Sequence, residues 1–237
     1  MTGATITYDR LRKVYGQTVA VAELTGSIRP GVVTGFLGPN GAGKSTAMRC
    51  LLGLASPTSG EALIGGRAYA SLPQPGREVG ALLDSRGFHP GLTGRQNLNV
   101  MAAAMDIDGD RVEAVLEIVG LRDSASRKAK GYSLGMRQRL SLATALLGDP
   151  HVLVLDEPAN GLDPQAIVWL RNFLKALAAE GRTVLVSSHQ LAEMQHTVDD
   201  VFIIDRGHTK AQGSVKDVCG GRTLEETFLA LTEGMEG

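Results

Sequence analysis

Residues 32–52 constrain this chain more than any other stretch, because a strand, a glycine-rich loop and a helix are written there in immediate succession. The apolar run 32–37 reads as the strand and 45–52 as the helix. Between them Gly38-Pro39-Asn40-Gly41-Ala42-Gly43-Lys44-Ser45-Thr46 reads as a complete phosphate-binding loop. Gly38, Gly41 and Gly43 let the backbone turn tightly and aim successive N–H groups at phosphate oxygens, and the helix N-terminus adds the positive end of its dipole. Lys44 is placed to reach the outer phosphates and Ser45 to offer its hydroxyl to Mg²⁺. A glycine-rich turn with an accidental lysine lacks this strand, loop and helix order.

The rest of the chain supplies the sheet that such a loop needs. Alternation of β-branched residues over 5–8 and 18–24 predicts short antiparallel strands ahead of the loop. The runs 152–155, 183–186 and 201–204 are short, unbroken and apolar, the pattern of parallel strands buried on both faces, with helices expected on both sides. Residues 164–180 place Ile167, Leu170, Leu174 and Leu177 on one helical face, with Asp163 as N-cap, Pro164 first in the helix and Gly181 just past its end. Residues from about 94 to 147 read as mostly helical.

Composition narrows the function. The 237 residues, 43% of them hydrophobic, fit one domain. A net charge of −1 gives no reason to expect a nucleic-acid partner. Cys50 and Cys219 form no metal-type spacing, which fits a reducing compartment. The first residues have no signal-peptide pattern, and no run approaches the roughly 20 apolar residues that span a bilayer, so a soluble, cytosolic chain is expected.

The run 152–155 ends in Asp156-Glu157. A strand end at the crevice of an open α/β sheet is where ligands bind, so Asp156 is expected in the metal shell beside Ser45 and Glu157 beside the attacking water. An isolated Asp-Glu pair is more often a solvated strand end; the phosphate loop changes that weighting. Shortly before it, Tyr132-Ser133-Leu134-Gly135-Met136-Arg137-Gln138-Arg139 resembles the signature motif of ATP-binding-cassette (ABC) ATPases. Tyr15 matches that family's adenine-stacking aromatic, Asn160-Gly161-Leu162-Asp163 its aspartate loop, and His189, after Ser187-Ser188, its switch histidine. Five motifs stand in the family's order.

The resemblance implies a phosphate-loop α/β fold of the ABC ATPase type. Its mainly parallel core with an antiparallel β part would cover about 1–93 and 148–237, and a helical subdomain about 94–147. It implies ATP and Mg²⁺ as ligands, with Lys44, Glu157 and His189 catalytic and Ser45, Asp156 and Asp84 at the metal. Ser133 stands where it would cap its helix, leaving the N–H of Gly135 free for an anion. In the family that anion is the γ-phosphate held by the opposite subunit of a head-to-tail dimer, which puts Asp163 at the dimer interface.

Two departures stand out: Leu134 and Met136 replace the family's first signature glycine and its glutamine, and Asp84 takes the place of the glutamine that meets Mg²⁺ and the membrane partner. The text over 79–98 is similar to the drug- and antibiotic-exporter branch. The short tail after Asp217, with Leu224, Phe228 and Leu231 at helical spacing, suggests a minimal motor. The implied function is ATP hydrolysis that drives export of a drug, antibiotic or lipid through a separate integral-membrane permease, by a homodimer or a heterodimer with a related subunit, peripheral on the cytoplasmic face of the membrane. The alternatives are a soluble ABC-type ATPase uncoupled from transport, for which tandem motif sets or a long coiled coil would be expected, and a small-molecule kinase.

Overall fold

The computed structural model describes residues 3–83 and 87–232. Among the described residues nine strands form one sheet: β1 (Ile6–Tyr15), β2 (Thr18–Ile28), β3 (Val33–Leu37), β4 (Ser59–Ile64), β5 (Val79–Leu82), β6 (Val152–Leu155), β7 (Thr183–Ser187), β8 (Asp200–Asp205) and β9 (His208–Ser214). Their spatial order is β4-β1-β2-β9-β8-β3-β7-β6-β5. Strands β8, β3, β7, β6 and β5 run parallel, while β1 pairs antiparallel with β2 and β4. Strand β9 joins the two parts, antiparallel to β8 and bridged in parallel to β2.

The α-helices are α1 (Lys44–Leu51), α2 (Pro75–Glu78), α3 (Gly94–Ala104), α4 (Gly109–Ile118), α5 (Leu134–Leu146), α6 (Pro164–Ala179), α7 (Leu191–Thr197), α8 (Val215–Cys219) and α9 (Leu224–Thr232). Alternation along the parallel strands sorts their side chains between two apolar layers, as a pleat with period two requires. Val33, Leu37, Leu153, Leu155, Val201 and Ile203 join the layer made with α3 to α9. Phe36, Val152, Val154, Phe202 and Ile204 join α1 and the antiparallel strands in the other. Tyr8, Phe36 and Phe202 interlock at its centre, with Phe36 and Phe202 ring centroids 5.4 Å apart.

The strands β3, β6, β7 and β8 fall on the apolar runs expected for them. The antiparallel strands are longer than the expected 5–8 and 18–24. Arg10 has φ +46°, and register shifts there break the alternation, yet Leu11 returns to the core beyond the irregularity. Such a bulge hides a strand from a strict period-two reading. Strands β4, β5 and β9 lacked a sequence signal of their own. The polar β9 is held by its ladder with β8, and β5 contains Gly80, where a Cβ would collide with the Ala145 carbonyl of α5.

The helix signals are realised in hydrogen bonds. Asp163 accepts from Ala166 N at 2.8 Å and Ser133 from Met136 N at 3.2 Å, each capping its helix. Thr93 and Gln96 form a reciprocal capping box on α3. Leu170, Leu174 and Leu177 are buried on α6 as spaced, with Ile167 half-buried at the edge.

Candidate functional site

The loop after β3 wraps a cavity of about 470 Å³ lined by Asn40 to Thr46, Asp156 and Glu157, together with 18–20 of β2. Two of its glycines answer to the close approach of neighbouring strands. Gly43 sits at φ +105°, and a Cβ on it would lie 2.5 Å from the Ala20 carbonyl. Gly38 has no room either, since its Cβ would lie 2.5 Å from the Ile204 carbonyl. A side chain at either position would push the loop off the neighbouring strands.

Lys44 lies folded into the loop, donating to the carbonyls of Gly38 at 2.6 Å and Pro39 at 3.1 Å. Burial pushes its ammonium pKa down, opposed by the charges of Glu157 and Asp156. Only 8% of Lys44 is exposed, so the charge is held largely out of water, where its attraction for a phosphate is screened least.

Strand β7 lies between β3 and β6, and its last residue joins the two loops. Ser45 donates from Oγ to Asp156 Oδ2 at 2.6 Å, while Ser187 donates to Asp156 Oδ1 at 2.5 Å and accepts from Glu157 N at 3.0 Å. Ser45 and Asp156 thus present two hard oxygens side by side, a set suited to Mg²⁺, which takes few protein ligands and completes its shell with phosphates and water. No larger cluster of His, Cys, Asp and Glu with metal-binding spacing occurs among the described residues. Asp84 lies outside the described residues.

Glu157 has φ +51°, a conformation unfavourable for a residue with a side chain and often found where function over-determines the backbone. Its Oε2 lies 2.8 Å from Nδ1 of His189. If that nitrogen carries the proton, neutral His189 offers only a lone pair at Nε2. Donating to a phosphate through Nε2 while keeping Glu157 then requires the doubly protonated ring. A second cavity of about 600 Å³ shares Ser45, Asp156 and Glu157 with the first and extends to Arg49, Leu134 and Asn160.

Ser133 and Gly135 lie elsewhere. They line a separate hollow of about 270 Å³ with Arg139 and Asp163, which shares no residue with the cavity around Lys44. Leu134, in the first-glycine place, is 56% exposed and covers Gly161, where a Cβ would lie 2.5 Å from its side chain. Tyr15 does not line the loop cavity. It is half exposed, with Lys13 Nζ 4.6 Å from its ring centroid. Sequence reasoning missed the bridging part of Ser187 and the hydrogen bond from Gln138 Nε2 to the Glu157 carbonyl, 3.0 Å long. Both residues stood inside motifs already singled out, but only the fold shows what they touch.

Sheet order, loop and paired carboxylates define a nucleotide hydrolase of the phosphate-loop class. The ABC transporter family model matches residues 21–160, more than half of the chain, and this protein belongs to that family as an ATP-binding, ATP-hydrolysing subunit. It is 42% identical over 209 residues to the ABC transporter ATP-binding protein YhcH of Bacillus subtilis, covering 87% of this chain and 68% of that one. It is 38% identical over 213 residues to the bacitracin transport ATP-binding protein BcrA of Enterococcus faecalis, covering 89% and 69%. It is 36% identical to the lantibiotic transport ATP-binding protein SrtF of Streptococcus pyogenes, covering 93% and 94%. Among solved structures, an ATP-binding subunit of an ABC transporter superposes with TM-score 0.87 at 28% identity, covering 95% and 98%. The ATP-binding cassette MJ0796, dimeric in a post-hydrolysis state with ADP and phosphate, shares the fold with TM-score 0.79 at 21% identity, covering 89% and 98%.

Proposed function

We propose that this chain is the motor of an exporter, hydrolysing Mg-ATP at the cytoplasmic face of the cell membrane and passing the resulting movement to a separate integral-membrane permease. The observation that carries it is the meeting of Ser45, Asp156, Glu157 and His189 beside the Lys44 loop, with a second anion-type helix end opening on a different cavity. One surface is built to hold a triphosphate and the other to complete a neighbour's site. No helix among the described residues is long and apolar enough to cross a membrane, which fits a motor whose translocation path lies in another chain.

In this reading backbone N–H groups within residues 40–46 and the Lys44 ammonium hold the phosphates. Ser45 and Asp156 hold Mg²⁺, which when bound neutralises phosphate charge. Glu157 takes the proton of the attacking water, and His189 orients Glu157 and steadies the γ-phosphate. Asp84 is assigned to the same metal and to the loop that faces the permease. A second copy, or a related subunit, places its Ser133 and Gly135 against the γ-phosphate in a head-to-tail dimer with Asp163 at the seam. The helices within 94–147 form the subdomain that carries this surface, on a core of about 1–93 and 148–237. ATP closes the dimer and product release reopens it, a two-state element biased by a ligand.

An apolar groove of about 330 Å³ lined by Leu83, Phe88, Leu92, Val100 and Met101 is the place assigned to the permease. Relatives named for bacitracin and lantibiotic transport support peptide antibiotics as the cargo class. The test is to isolate the chain from membranes with its partners and measure phosphate release in the assembled complex. Co-purification of a permease and stimulation by such a peptide are expected; full turnover with no membrane protein bound would favour an uncoupled cassette. Tyr15→Ala should weaken ATP binding by about 1 kcal/mol, the range of an aromatic stacking interaction. Unchanged affinity by calorimetry would remove Tyr15 from the adenine site.

A further inference from the structure

The backbone of Glu157 is clamped from both sides. Its N–H donates to Ser187 Oγ at 3.0 Å, and its carbonyl accepts from Gln138 Nε2 at 3.0 Å and from Asn160 N at 3.2 Å. A carbonyl has no proton to give, so the amide nitrogen of Gln138 has to face it. Gln138 is a buried polar side chain, only 4% exposed, on an otherwise well-packed helix. It holds in place a residue whose φ of +51° makes it prone to relax.

Gln138 also belongs to the helix that begins at the Ser133 cap. The first turn of α5 therefore presents N–H groups to the hollow around Ser133, and barely one turn later Gln138 reaches the chain's own Glu157. The start of that helix is fitted closely to the segment that follows Glu157, since a Cβ on Gly135 would lie 2.7 Å from the Gly161 carbonyl. A shift of α5 cannot leave residues 157–161 unmoved, because closely packed groups move together.

We propose that Gln138 is a positioning residue for hydrolysis, fixing Glu157 so that its carboxylate faces the attacking water and making that position depend on how α5 is seated. A triphosphate presented by a second copy to the N-terminus of α5 thereby sets the base of this chain's own site, so that filling one site prepares the other. The inference rests on Glu157 being the base.

Gln138→Leu removes the donor at similar volume, Gln138→Met does so without branching, and Gln138→His restores a ring N–H. The apolar variants are expected to lose at least about tenfold in kcat, the scale of a small misplacement of a reacting group. Their ATP affinity should stay within about twofold and their dependence of rate on ATP should become less cooperative, because the Gln138 amide donates to the Glu157 carbonyl and so acts on hydrolysis through that residue. The histidine variant should recover most of the rate. Wild-type kcat and cooperativity in both apolar variants would overturn the proposal. So would parallel losses of kcat, ATP affinity and melting temperature that histidine does not repair, which mark a purely structural amide. Normal turnover in Glu157→Gln would instead remove the base assignment itself, so the two failures are distinguishable.

Discussion

Glu157→Gln will bind ATP and scarcely hydrolyse it. The amide keeps the size of the carboxylate and still offers an oxygen to Nδ1 of His189, the partner 2.8 Å away, so the site should stay assembled. What it loses is the capacity to accept the water's proton, a contribution of about 10² to 10⁴ in rate for a positioned general base. With hydrolysis blocked and binding intact, the ATP-bound dimer should accumulate, visible as a doubled mass in size-exclusion chromatography with light scattering. Unchanged phosphate release would remove Glu157 from this role, and the water would then have to be activated by another group.

Lys44→Met will weaken nucleotide binding severely while leaving the fold nearly as stable. Methionine keeps most of the apolar stem but has no charge to set against the phosphates, which then face Asp156 and Glu157 across the same cavity. Removing one partner of a buried, charge-assisted hydrogen bond costs roughly 2–5 kcal/mol, so ATP affinity should fall at least about thirtyfold. Stability responds differently. The lowered pKa of Lys44 shows that the folded chain holds this ammonium against a desolvation cost, and methionine removes that cost along with the bonds to Gly38 and Pro39. The melting temperature should therefore move by no more than about 5 °C, the scale of 1–2 kcal/mol in a domain of this size. Titration calorimetry and thermal unfolding read the two effects separately, and retained ATP binding would show that the loop amides suffice.

The sequence carried the central parallel strands and the best-capped helices because their signals are local. Val152 to Leu155 is apolar without interruption because both faces of β6 are covered, and Asp163-Pro164 marks the start of α6 through one hydrogen bond and one fixed dihedral. Strands such as β9 were illegible for the opposite reason. His208 to Ser214 is polar and half exposed, and becomes a strand only by pairing with β8 and β2.

The phosphate loop was also legible in the sequence alone, since its glycines, lysine and serine stand in one recognisable pattern within nine residues, although the carbonyls that exclude side chains at Gly38 and Gly43 come from Ile204 and Ala20. The same holds for the caps Ser133 and Asp163, each of which serves an N–H three residues on. Only the tertiary structure decided that Ser187, at the end of the strand lying between β3 and β6, joins Asp156 to Glu157. Likewise it alone decided that Gln138 reaches the Glu157 carbonyl from 19 residues earlier in the chain. These hydrogen bonds follow from strand order and helix packing, and no periodicity or spacing in the chain encodes which distant side chain will lie within reach.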